Sequence, residues 1–114
     1  MGAFNTLHTS IRCLQCGQVT PARLQFKFGD TWQLDYKLGD TLLWGGNDRG
    51  IPGLPRVMVY GILEDDVCPA CGAKPAVEEF DIHVENDVLV SVAPMVSYEP
   101  YLRSEADGGA WAVV

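Results

Sequence analysis

The residues best placed to do chemistry in this chain are four cysteines, in two copies of one pattern. The first copy is Cys13-Leu14-Gln15-Cys16-Gly17 and the second Cys68-Pro69-Ala70-Cys71-Gly72. A C-x-x-C turn brings two sulfurs to the spacing of neighbouring corners of a tetrahedron around one metal ion. The glycine that follows lets the backbone bend left-handed, so that amide N–H groups can point at the thiolates. Two such half-sites supply the four ligands of a closed structural site, and no cysteine is left over. The cofactor expected is one structural Zn2+, with iron the less favoured occupant because four thiolates suit either metal. Thiol redox catalysis is disfavoured: a reactive C-x-x-C opens a helix, and Gly17, Pro21, Gly72 and Pro75 discourage helices after both motifs. Structural disulfides fit poorly with a chain whose residues 1–11 lack the basic patch and apolar block of an export signal.

Other candidates are read more plainly. His8 precedes Cys13 by five residues and His83 falls on the polar face of a strand; with four thiolates available, both are expected at or near the surface. Asp65-Asp66 and Glu78-Glu79 flank the second cysteine pair and read as charged strand edges, not as a hydrolytic carboxylate pair. There is no phosphate loop with its lysine and following helix, no G-x-S-x-G elbow and no H-E-x-x-H. The expectation is therefore a protein that is not an enzyme. Residues 44–56 carry four glycines and two prolines, a density of breakers that leaves only a long loop. Trp32 and Trp44 most simply belong to the core. Trp44, where a strand meets the loop, can alternatively anchor a contact surface. Trp44, Asp48, Arg49 and Glu79 are the candidate partner-binding residues.

Strands must position these groups. Leu24, Phe26 and Phe28 alternate with polar residues. After Gly29-Asp30-Thr31 the alternation resumes through Trp32, Leu34, Tyr36 and Leu38, which predicts a β-hairpin across that turn. Residues 57–63 are apolar on both faces, as in a central strand covered on both sides. Phe80, Ile82 and Val84 alternate with Glu79, Asp81, His83 and Glu85, and Asn86-Asp87 turns the chain into a strand over 88–92. No stretch carries a helical period of useful length. From Tyr98 onward the sequence turns polar and Gly-rich. The reading is one metal-stabilised β domain over 1–97, with a partly flexible C-terminal tail over 98–114.

Composition bounds the class. At 114 residues with 47% hydrophobic side chains, the chain suits one globular domain with a modest core. No apolar run is long enough to span a membrane, and a cytoplasmic location is expected. The formal charge is −7, and four thiolates around a divalent ion would take it to about −9. The eight basic residues are scattered, so nucleic acid is disfavoured as a partner and a basic protein surface is favoured.

At its cysteines the chain resembles the zinc-ribbon proteins with rubredoxin-like knuckles, and Cys68-Pro69-Ala70-Cys71-Gly72 looks like that family's second knuckle. The resemblance implies that Cys13, Cys16, Cys68 and Cys71 are the ligands and that β-hairpins pack around them. It covers about ten residues, and the 51 residues between Cys16 and Cys68 depart from the usual short ribbon spacing. The fold expected is thus all-β or nearly so, a zinc ribbon with a hairpin-rich insertion over 23–64. The opening Met-Gly-Ala-Phe-Asn-Thr-Leu-His and Tyr36-Lys37-Leu38-Gly39-Asp40 also look like small bacterial and phage proteins. Three roles follow as expectations: a non-catalytic protein-binding module of immunity or antitoxin type, a nucleic-acid-associated ribbon, and a rubredoxin-like iron electron carrier.

Overall fold

The two segments that flank the first cysteine pair are both strands, and they pair with each other. Strand β1 (Asn5–Arg12) and strand β2 (Val19–Phe26) form an antiparallel ladder from Asn5↔Phe26 to Arg12↔Val19. The computed structural model describes residues 3–65, 67–75, 77–104 and 109–114. Pro21 interrupts nothing. It lies opposite Ser10, and the Cys13 amide bonded to the Gln18 carbonyl makes Ser10/Pro21 a non-hydrogen-bonded pair, where no ladder N–H is needed.

The chain continues through β3 (Gly29–Asp30), β4 (Asp35–Lys37), β5 (Asp48–Arg49) and β6 (Val57–Leu63). After the second cysteine pair come β7 (Glu79–Glu85), β8 (Val88–Pro94), helix α1 (Glu99–Ser104) and β9 (Trp111–Val113). Seven strands of the described residues make one sheet in the order β4-β1-β2-β6-β7-β8, with β9 also paired to β6. β6 is central. One side pairs with β7 over Val57–Ile62; the other meets β2 at Leu63 and Ile62, then β9 at Val57–Val59 where β2 diverges.

The sheet curls until its edges approach. β4 runs parallel to β1, and the chain after it reaches β8 through a Thr41↔Val88 bridge and a Leu42 amide bonded to the Asp87 carbonyl at 2.7 Å. The core inside the curl includes Leu7, Leu24, Phe26, Phe28, Val59, Ile82 and Leu89. Asn5, fully buried there, is satisfied: its side chain donates to the Phe28 carbonyl and accepts from the Leu34 amide. The all-β expectation holds, with one short helix added.

Several local expectations are corrected. β2 does not form a hairpin with the residues after Gly29-Asp30-Thr31. Its partner is β1, and that glycine turn leads into the short β3–β5 pairing. Of the second alternating run only Tyr36 is buried; Trp32 is 62% exposed, not a core residue. β6 is covered on its inner face, while on the outer face Tyr60 packs against Tyr98 and Tyr101 and Ile62 stays exposed. The expected tail supplies α1 and β9, and Trp111 is buried against Phe28 with ring centroids 5.6 Å apart. Residues 105–108 of that tail lie outside the described residues. The β7–β8 hairpin is as expected. Asn86 and Asp87 both take positive φ, as a two-residue hairpin turn of matching twist requires.

Candidate metal centre

The sheet order explains how cysteines 51 residues apart meet. Cys13 and Cys16 occupy the β1–β2 turn, and Cys68 and Cys71 the connection from β6 to β7. β2 leaves the first pair as β6 arrives at the second, and the two strands are antiparallel neighbours at Leu24↔Leu63. Both turns therefore sit at one end of the sheet. Glu64 fastens them. Its amide donates to the Arg23 carbonyl, and its carboxylate accepts from Gln25 and pairs with Arg23 at 3.2 Å.

The two turns have the same backbone. In the first, the Cys13 amide donates to the Gln18 carbonyl and the Gly17 amide to the Cys13 carbonyl; in the second, Cys68 donates to Ala73 and Gly72 to Cys68. Gly17 and Gly72 both have φ of 73°, the left-handed bend that makes glycine the residue of choice there. Arg12 adds a hydrogen bond to the Gly17 carbonyl at 2.9 Å.

The four sulfurs face one point. Cys13 Sγ lies 3.8 Å from Cys71 Sγ, Cys16 Sγ lies 3.9 Å from Cys68 Sγ, and all four lie within 4.8 Å of one another. Four sulfurs about 2.3 Å from a central ion stand about 3.8 Å apart at the edges of a tetrahedron, so the cage fits a four-coordinate metal ion. A disulfide would need about 2.05 Å. The donor set suits a thiophilic ion such as zinc or iron and is foreign to calcium or magnesium. Cys68 is buried, Cys13 half-buried, and Cys16 and Cys71 are exposed.

Backbone dipoles grade the thiols. Amides of Cys16 and Gln15 aim at Cys13 and lower its pKa to about 6. The Ala73 amide favours the Cys71 thiolate too, but desolvation and the neighbouring thiols outweigh it and push Cys71 up to about 11. Without a cation the cluster resists full ionisation, because four thiolates this close repel one another. A divalent ion removes that resistance. Below the cage, Ile11, Ala22, Leu63, Val77, Phe80 and Cys68 line an apolar crevice of about 40 Å3, room for little more than a water molecule.

The remaining candidates fall elsewhere. His8 is exposed, bonded to Asp35 at 2.8 Å, and His83 is half-buried on β7; neither is among the residues that could hold the metal. Asp65 lies 3.8 Å from Arg23, and Asp66 is outside the described residues. Trp44 is half-buried, edge-on to Phe28 at 5.3 Å. Asp48 accepts the Gly45 and Gly46 amides, and exposed Arg49 pairs with Gly29 in β5–β3. These three sit at the end of the sheet opposite the cysteines, because β6 runs from their loop to the second cysteine pair. Glu79, at the cysteine end, accepts a hydrogen bond from Tyr98 at 2.8 Å. The four tentative contact residues are therefore not brought together. Sequence reasoning missed the order within the loop. Asp30 accepts the Asn47 amide at 2.7 Å, the buried Thr31 hydroxyl donates to the Asn47 carbonyl, and a side chain at Gly46 would collide with Asp30. The signal was the pair Asp30-Thr31 facing Asn47-Asp48.

No protein family, curated protein or solved structure matches this chain.

Proposed function

We propose that the four cysteines hold one zinc ion as a structural staple, and that the domain acts as a non-catalytic binding module for a basic protein partner. The observation that carries the metal reading is the pair of cross-turn sulfur separations, 3.8 and 3.9 Å, at the edge length of a thiolate tetrahedron. Iron fits the same cage, and the exposure of Cys16 and Cys71 keeps the electron-carrier reading alive as the second one. A visible absorption spectrum of freshly purified protein separates them. Zinc leaves it colourless, whereas a ferric–thiolate band assigns iron and an electron-transfer role.

The partner reading rests on charge and on the loop. A net −7 with scattered cations favours a basic surface over nucleic acid. The loop over 44–56 is preorganised by Asp30, Thr31 and Asp48, and at its end of the molecule Trp32, Leu43 and Ile51 are exposed beside Arg49. A rigid surface binds with little ordering cost, and an exposed indole is a common anchor. Trp32 takes the anchoring role in place of Trp44, which is packed on Phe28. An immunity- or antitoxin-type role is one form of this reading. Retention on heparin at low salt contradicts it. So does undiminished partner binding by a Trp32→Ala, Arg49→Ala double variant.

A further inference from the structure

Structural thiolate sites resist oxidants when the protein covers them. Here both cysteine turns are loop tips, and three of the four sulfur-bearing residues reach solvent while Cys68 is buried. We propose that Cys13 and Cys71 form a hydroperoxide-sensitive pair that closes into a disulfide and thereby releases the metal. This inference rests on the metal reading above.

Cys71 is the exposed member and the entry point for the oxidant. Cys13 Sγ lies 3.8 Å away, across the two turns. The alternative cross-turn pair, Cys16 and Cys68, is 3.9 Å apart, but Cys68 is buried and accepts the Ala70 amide at 3.4 Å. The step balances with a hydroperoxide as oxidant. The Cys71 thiolate attacks the terminal peroxide oxygen, the O–O bond breaks, and protonation yields a sulfenic acid and one water from hydrogen peroxide. The Cys13 thiolate then attacks the Cys71 sulfur, the S–S bond forms, and hydroxide leaves and is protonated to a second water. Two thiolates have lost two electrons, and the peroxide has gained them. The Cys16 and Cys68 pair alone holds a divalent ion far more weakly than four thiolates do.

The placement of the pair has a second consequence. Cys13 lies in the β1–β2 turn and Cys71 in the β6–β7 connection, so the disulfide ties the same two elements that the metal ties. Closure needs the sulfurs to approach by about 1.8 Å, a movement within reach of two loop tips. Metal release then leaves the strands in place.

The test uses the full chain, purified with its metal under anaerobic conditions and treated with one equivalent of hydrogen peroxide. Metal release is read with a chromogenic chelator, and disulfides are mapped by mass spectrometry without reduction. The expected result is a Cys13–Cys71 disulfide formed in step with release of the bound metal, an unchanged β-sheet circular dichroism spectrum, and reversal by dithiothreitol with added zinc. A mapped Cys13–Cys16, Cys68–Cys71 or Cys16–Cys68 bond overturns the assignment. So does retention of metal under a tenfold peroxide excess. A chain that carries no metal at the outset refutes the metal reading and the release inference with it, a failure distinguishable from the others before any oxidant is added.

Discussion

Cys71 shows most clearly how a single side chain joins this structure to its chemistry. Exposed at a loop tip, it contributes little to packing, so Cys71→Ser removes a thiolate and almost no buried apolar surface. Loss of an outer-shell partner costs metal sites about 10–100-fold in affinity, and loss of a ligand is expected to cost more. Metal titration of the variant against wild type is the check, and equal affinities exclude Cys71 from the ligand set. The graded thiols set the pH dependence. In the metal-free protein at neutral pH, Cys13, at about 6, is already ionised, while Cys71, at about 11, holds its proton. Binding a metal must expel that proton, so apparent affinity rises with pH from neutrality toward 11 and falls on acidification as Cys13 is protonated too. A pH-independent affinity between 6 and 9 contradicts the ligand role of these two residues.

At the scale of elements, the three tryptophans separate structure from surface. Trp111 brings β9 into the core against Phe28, and Trp111→Ala is expected to cost about 3–5 kcal/mol, as large core truncations do. Trp44→Ala is expected to cost somewhat less, because Trp44 packs on the same ring but is only half-buried. Trp32→Ala is expected to stay within about 0.5 kcal/mol of wild type, the usual range for surface positions. Urea unfolding of the three variants decides; a large loss at Trp32 removes it from the surface role. The same residues mark how far the sequence could be read. β6 and the β7–β8 hairpin were legible because apolar alternation there is strong and Asn86-Asp87 is a recognisable turn. β1 was not legible. Its exposed side chains are His8, Ser10 and Arg12, and only Leu7 and Ile11 supply apolar periodicity. Without an apolar period in β1, alternation alone pairs β2 with the next alternating run and draws Trp32 into the core with it. β9 is three residues long, too short to register as a period, and its burial is decided by an edge that β2 vacates along β6. The cysteine turns were legible because the C-x-x-C-G pattern is local. That they face each other follows from the β2–β6 pairing, a long-range contact with no signature in either strand.

At the scale of the molecule, the four-cysteine cluster brings two connections together at one end of a curled sheet whose other end is closed by hydrogen-bonded loops. The metal-end crevice is small and partly apolar, and the elements around it are tied through Glu64, Arg23 and Gln25 at the surface. Chelation is therefore expected to lower the unfolding midpoint and to cost amide-exchange protection first at the cysteine ends of β1, β2, β6 and β7, while the far, buried halves of β6 and β7 keep theirs longest. Uniform loss of protection across the sheet contradicts that division. The central claim is narrower: four thiolates from two distant turns share one ion. It is tested most directly by elemental analysis of freshly purified protein, combined with cysteine alkylation before and after chelation. The expected result is about one equivalent of zinc, with the cysteines alkylated far more slowly before the chelator is added than after it, and all four modified afterwards. Less than about half an equivalent of any thiophilic metal, with the four cysteines freely alkylated from the start, contradicts it.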